Sequence, residues 1–274
     1  MKKIDVRASL RSKYKGYIPG FVFRWLEKLI HQDQLNEAMM LQDYVGGVEF
    51  AQKVLKHFDI TAEIIGKDRL PSPDKRCFFV SNHPLGGADG IVLTSLLGQI
   101  YDGNISVMVN DLLMAVYQFG DVFLPVNKYG KQAREAAQLM NDALNSDKQM
   151  VSFPAGMCSR KGNDGVICDL TWNPSFIRMA QKSQRDIVPL YFEAQNSEHF
   201  YKWARRRKRL GIKFNYELIL LPDELIRAKG KHFRIFVGES IPVQELPTGK
   251  AIRELANSVR DQLYSYPDKY SLQK

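Results

Sequence analysis

His83 and Asp89 are the two residues of this chain whose types and placement suit acid–base chemistry. They lie in R-C-F-F-V-S-N-H-P-L-G-G-A-D-G-I-V-L-T-S-L-L, from Arg76 to Leu97. A neutral imidazole takes a proton from a hydroxyl or an amine. A carboxylate on its other ring nitrogen fixes the tautomer and stabilises the imidazolium that forms. The competing reading is that His83 closes a strand and Asp89 only caps a helix. The order of elements around them weighs against it.

Those elements follow from the residues. Cys77 to Val80 is a short apolar run rich in β-formers, which predicts a buried strand. Pro84 removes a backbone donor and biases His83 away from helical dihedrals, so the strand should stop there. Gly86 and Gly87 permit a tight reversal. Asp89 precedes Ile91, Val92, Leu93, Leu96 and Leu97, apolar at helical spacing, and is expected as the helix N-cap. The result is a histidine at a strand end with a carboxylate facing it across a glycine turn.

A second stretch suits anion binding: F-P-A-G-M-C-S-R-K, Phe153 to Lys161. Met150 to Phe153 predicts a strand, then Pro154 and Gly156 a turn, then Ser159, Arg160 and Lys161. Backbone donors beside two cations fit an anionic head group or phosphate. An ordinary loop with a solvated Arg-Lys pair is the alternative.

The block N-H-P-L-G-G-A-D-G, Asn82 to Gly90, resembles the first signature of the glycerolipid acyltransferases, the lysophosphatidate-acyltransferase type. Most of that family has four residues between the histidine and the aspartate. Here five intervene, Pro84 to Ala88. That spacing resembles a bacterial branch labelled hemolysin-like or ornithine/glycine-lipid acyltransferase. Gly120 to Tyr129 falls where the family's second block would, Phe153 to Arg160 resembles the third, and Asp186 to Phe192 resembles the fourth. The blocks span about residues 76–192 in the family's order.

The resemblance implies an acyl thioester donor, acyl-CoA or acyl carrier protein, and a lipid acceptor. It also implies direct transfer without a covalent enzyme intermediate, a bound cofactor or a metal. His83 would be the general base and Asp89 its orienting acid. Asn82, Gly86, Gly87, Phe153, Pro154, Gly156, Ser159, Arg160 and Lys161 would line the substrate site. Turn donors near Gly86-Gly87 would stabilise the oxyanion, and Arg160 with Lys161 would hold an anionic group of the acceptor. Two phosphate-site features are missing. Ala155 stands where the third block carries glutamate, and Val126-Asn127 stand near the second block's arginine. These departures point to another acceptor, such as an N-acylated amino acid with a free β-hydroxyl, with lysophosphatidate as the alternative.

The composition sets the partners. A net charge of +9 over 274 residues favours an anionic partner. Lys202 to Lys213 holds seven cations and no acid, with Tyr201 and Trp203 beside them. Met1 to Tyr17 is basic. Pro19 to His31 carries Val22, Trp25, Leu26 and Leu29 on one helical face. A basic arm before an amphipathic helix suits an anionic membrane surface, and packing of that helix on the main domain is the alternative. No recognised nucleic-acid motif accompanies the charge. No run reaches the roughly 18 apolar residues of a membrane span, and Met1 to Lys15 has no apolar segment of a secretory signal. Cys77, Cys158 and Cys168 make an odd count without metal-ligand spacing, which predicts a reducing compartment. The expectation is a peripheral protein on the cytoplasmic face of a membrane.

The predicted fold is α/β: a mixed, mostly parallel sheet of about seven strands with helices on both faces and the site at strand ends. Residues 1–58 would form the basic arm and N-terminal helices, with one helix over 33–58, and residues 59–274 the catalytic domain. Further strands are expected at Ile60–Ile65, Ile105–Val109, Asp186–Phe192, Tyr216–Leu221 and Phe233–Val237. Helices are expected at Leu112–Phe119, Lys131–Asn145, Pro174–Gln184 and Ala251–Tyr264, with a frayed tail from Pro267. A hydrolase with Cys158 or Ser159 as nucleophile and His83 as base is the other enzymatic reading. It lacks a nucleophile-elbow motif.

Overall fold

The computed structural model describes residues 4–13, 16–40, 46–110, 116–126 and 133–271. The centre is a seven-stranded sheet. Its strands are β1 (Thr61–Ile65), β2 (Cys77–Ser81), β3 (Ile105–Val109), β4 (Phe123–Pro125), β5 (Gln149–Ser152), β8 (Asp186–Glu193) and β9 (His232–Val237), in the order β1-β9-β8-β2-β5-β3-β4. Only the β8–β9 pair is antiparallel. Two short strands, β6 (Arg160–Lys161) and β7 (Ile167–Cys168), make a separate antiparallel ribbon.

β2 shows why the sheet is sandwiched. Its side chains alternate between faces, yet all five residues are buried. Cys77 and Phe79 join the core on one face, with Phe50, Val54 and Leu55 of α4 (Gly47–His57) and Val92, Leu93 and Leu97 of α5 (Ala88–Ile100). Phe78 and Val80 join the other, with Leu144 of α6 (Ala133–Asn145), Phe176 and Ile177 of α7 (Ser175–Ser183), and Val259 and Leu263 of α10 (Ala251–Leu263). A run buried on both faces reads as uninterrupted apolar sequence, as this one does. On the face served by α6, Leu139 is half exposed, and Ala136, Ala143 and Leu144 supply the buried side.

β8 carries Pro189 in an interior position of the sheet. Proline lacks the ladder donor and is confined to edges and irregularities. Here β8 pairs with β9 from Leu190 onward, while Ile187 bridges to Ile241, and the Pro189 carbonyl accepts from Gly238 N–H at the break between them.

Four local expectations give way. Residues 33–58 are not one helix: α3 (Gln32–Met39) ends before the glycines, and α4 begins after Gly46, whose φ of +100° no helix tolerates. Residues 112–115 of the expected Leu112–Phe119 helix lie outside the described residues, and Tyr117–Phe119 is a single 3-10 turn. Tyr216–Leu221 is not a strand. Tyr216–Leu220 is 3-10 and runs straight into α9 (Leu221–Arg227), because Pro222 presets helical φ in its first turn. A short apolar run does not by itself distinguish strand from buried helix. The tail does not fray at Pro267: Tyr266–Ser271 forms α11, with Tyr266 and Tyr270 buried and the Arg69 guanidinium 4.0 Å over the Tyr270 ring.

The remaining helices are α1 (Val6–Lys13), α2 (Gly20–Leu29) and α8 (Glu198–Arg209). α8 brings Phe200 and Tyr201 into a third small core with Cys158 and Leu220. Leu29 of α2 packs against it. This cluster holds the loop after β5 against the turn after β2.

Candidate active site

The parallel strands β2 and β5 are neighbours, so their C-terminal ends bring the His83 turn and the Phe153–Lys161 loop side by side. The Ser159 N–H donates to the His83 carbonyl at 2.8 Å and fastens the two loops together. Gly86 has φ +74°, and a side chain there would meet Cys158 Cβ and the Leu221 side chain at about 3.0 Å, so the turn requires glycine.

Asp89 is not the N-cap of α5. Gly87 takes that place, and Asp89 sits inside the first turn with its carboxylate pointing back over the loop. Its Oδ2 lies 3.0 Å from His83 Nδ1 and accepts from the N–H groups of Leu85 (2.9 Å) and Gly86 (3.3 Å). Its Oδ1 accepts from Gly90 N–H at 2.9 Å. The extra residue between histidine and aspartate is absorbed by the Leu85–Gly87 bend, whose amides wrap the carboxylate. The Gly86 N–H, expected as an oxyanion donor, is thereby directed to Asp89.

The Asp89 side chain is fully buried, while that of His83 is 16% exposed. A carboxylate on Nδ1 holds that nitrogen protonated and leaves Nε2 as the basic position. Burial disfavours the imidazolium, but the charge and hydrogen bond of Asp89, helped by Asp169, outweigh it and raise the ring above its ordinary value. Burial likewise raises the Asp89 carboxyl. The His83 ring and the Leu85 and Gly90 amides outweigh that and hold it below the ordinary range. Phe153 covers one face of the imidazole, ring centres 4.3 Å apart.

Asp169 is a buried residue of the site that sequence reading passed over. Its Oδ1 accepts from the Ser159 hydroxyl (2.6 Å) and the His83 N–H (3.2 Å), and its Oδ2 from Trp172 Nε1 (2.9 Å). One carboxylate thus joins the strand-end histidine, the following loop and the core. Burial pushes its carboxyl up against the pull of those donors.

The other expected site residues divide. Phe153 borders the imidazole, and Gly87 and Gly156 stand in open positions with room for a side chain. Pro154 is buried, and its carbonyl accepts from Asn173 N–H. Asn82 is buried, and its amide is spent on the N–H (2.7 Å) and carbonyl (3.0 Å) of Phe192, where it splices β2 to β8 rather than facing solvent. Ser159 is buried against Asp169. Arg160 donates to the Cys158 carbonyl (2.8 Å) and to Glu217 Oε1 (2.9 Å), and Lys161 pairs with Glu198. Glu217, fully buried in the turn before α9, was also unforeseen. Its one sequence signal is a lone acid inside the apolar run Tyr216–Leu221.

The hydrolase reading finds no nucleophile. Burial pushes the Cys158 thiol up to about 11 despite Arg160 beside it, so the thiolate is scarce at neutral pH. The Ser159 hydroxyl donates to Asp169 and not to His83. Among the described residues no group of three or more His, Cys, Asp or Glu side chains could hold a metal ion.

Relatives sharpen the reading. The lyso-glycine lipid O-acyltransferase of Bacteroides thetaiotaomicron is 41% identical over 265 residues, covering 95% of this chain and 96% of that protein. The enzyme of the same name from Phocaeicola vulgatus is 40% identical over 265 residues, covering 95% and 94%. The crystal structure of the 1-acyl-sn-glycerophosphate (LPA) acyltransferase PlsC from Thermotoga maritima is similar in fold, with TM-score 0.50 and 13% identity over 80% of this chain and 77% of that one. The family described as Acyltransferase matches residues 6–273. With a histidine–aspartate pair at the strand ends of a mixed sheet and a family match along almost its whole length, this chain belongs to that acyltransferase family.

Proposed function

We propose that the protein is a lysolipid O-acyltransferase whose acceptor is a lyso-amino-acid lipid of the lyso-glycine type. Lysophosphatidate is the second candidate. The observation that carries the mechanism is the His83–Asp89 pair at 3.0 Å with the imidazole partly exposed. The names of the two relatives support the acceptor. His83 Nε2 takes the proton of the acceptor hydroxyl as its oxygen attacks the carbonyl of an acyl thioester, acyl-CoA or acyl carrier protein. The C–S bond breaks, and His83 returns the proton to the leaving thiolate. Asp89 keeps Nδ1 protonated and stabilises the transient imidazolium.

The enzyme works on an anionic membrane surface. Tyr17, Phe21 and Trp25 lie four apart and are 89%, 65% and 52% exposed, while Leu29 of the same segment packs beside the site loop. Next to that cluster, the exposed cations of α8 lead to Leu210, Ile212 and Phe214, themselves 59%, 39% and 77% exposed. Aromatic and aliphatic groups beside a basic helix suit the headgroup region. No helix of the described residues is long and apolar enough to cross a membrane.

Acyl transfer from a thioester to a panel of lysolipids tests the activity. Turnover of a lyso-amino-acid lipid is expected, and unchanged turnover in His83→Ala would remove the base. For the surface, replacing both Phe21 and Trp25 with Ala should weaken binding to anionic vesicles about tenfold at constant salt. Undiminished binding would move the contact elsewhere.

A further inference from the structure

We propose that Glu217 determines acceptor charge: by holding the Arg160 guanidinium, it keeps the head-group side of the site from accepting a phosphate monoester. The proposal rests on the reading of His83 as base in a lysolipid acylation, and it specifies which acceptors that site rejects.

Arg160 stands beside the chemistry. The residue before it is bonded through its N–H to the His83 carbonyl, and Leu221, just after the Glu217 turn, occupies the space a side chain on Gly86 would need. An unpaired arginine there would be a ready ligand for phosphate. It is not unpaired. Arg160 Nη2 donates to Glu217 Oε1 at 2.9 Å, Nη1 donates to the carbonyls of Cys158 (2.8 Å) and Ser159 (3.3 Å), and the guanidinium lies 5.3 Å over the Phe200 ring. Glu217 Oε2 lies 2.8 Å from Arg207 Nε, so one buried carboxylate stands between two arginines. Lys161, the other cation of this loop, pairs with Glu198.

Charge decides the consequence. The interior around His83 already holds the buried carboxylates of Asp89 and Asp169, and Glu217 is buried against Arg160. A phosphate dianion reaching Arg160 would have to take it from Glu217, leaving that buried acid with Arg207 alone, or lie beside it as a like charge. Both are costly where water is excluded. A head group with a single carboxylate, or none, asks far less of the same field. Glu217 comes from a segment 57 residues beyond Arg160. It brings an acid to the loop in which position 155 is alanine.

The test uses the purified full chain. Wild type should prefer an N-acylated glycine with a free β-hydroxyl over lysophosphatidate by about a hundredfold in kcat/KM. Glu217→Gln should narrow that ratio about tenfold, through a rise with lysophosphatidate. Titration with glycerol 3-phosphate should show about tenfold tighter binding in Glu217→Gln than in wild type, lost again in Glu217→Gln with Arg160→Gln. A folded Glu217→Gln, verified by circular dichroism, with unchanged ratio and unchanged glycerol 3-phosphate affinity overturns the proposal. If that variant does not fold, wild type decides alone, since near-equal use of the two acceptors overturns it. Should wild type acylate neither acceptor, the activity reading fails, and the glycerol 3-phosphate titration still decides the role of Glu217.

Discussion

Two loops meet at this site, and they treat their polar groups in opposite ways. The turn from Asn82 to Asp89 spends its amides on Asp89 so that one edge of an imidazole stays available. The loop from Phe153 to Lys161 spends its cations on acids from elsewhere, Arg160 on Glu217 and Lys161 on Glu198. Their sequences advertise equal chemistry. The difference lies in where each group's partner comes from. His83 finds its acid six residues away, and Arg160 finds its acid 57 residues away. A partner near in sequence leaves His83 an open edge, whereas partners distant in sequence occupy Arg160 and Lys161.

The largest effect should come from breaking the open side. His83→Ala should lower kcat about a thousandfold, the scale of a lost general base. A loss below tenfold would mean that the free imidazole edge is not the working group.

Asp89→Asn is next. It should lower kcat about a hundredfold and move the acid limb of the pH–rate profile downward. The sign follows from the pair. Wild-type rate falls as pH drops through a His83 value raised by Asp89, since the base must be neutral. Without that carboxylate, burial dominates and pulls the ring's value down. An acid limb that stays in place would separate the titration from His83.

Asp169→Ala should act on both loops at once. It strands the Ser159 hydroxyl, the Trp172 indole N–H and the His83 N–H, and should cost about 3 kcal/mol of stability in denaturant unfolding. An unchanged midpoint would show that the loops are held by the third core cluster alone. The smallest effect is expected at Cys158→Ala, with kcat within about threefold of wild type and no acyl-enzyme in mass spectra of wild type mixed with acyl thioester. A trapped acyl group on Cys158 would revive the hydrolase reading and blur the contrast between the loops.

What the sequence alone settled is local. The apolar run of β2, the proline after His83, the two glycines and the acid beyond them act over a few residues, through dihedral preference and side-chain alternation. The strand, the turn and the histidine–aspartate meeting were therefore legible, as was the α/β class from strands and helices in succession. The expected N-cap at Asp89 was two residues astray, with Gly87 in that place, because capping geometry depends on backbone angles that residue type only biases. The tertiary structure alone decided what long-range pairing decides. It turned Tyr216–Leu221 from a strand into a helical approach, buried Asp169 against the His83 backbone and Ser159, and matched Arg160 with Glu217. Buried charges and donors must find partners wherever the packed chain brings them, and nothing in a linear string ranks candidates lying tens of residues apart.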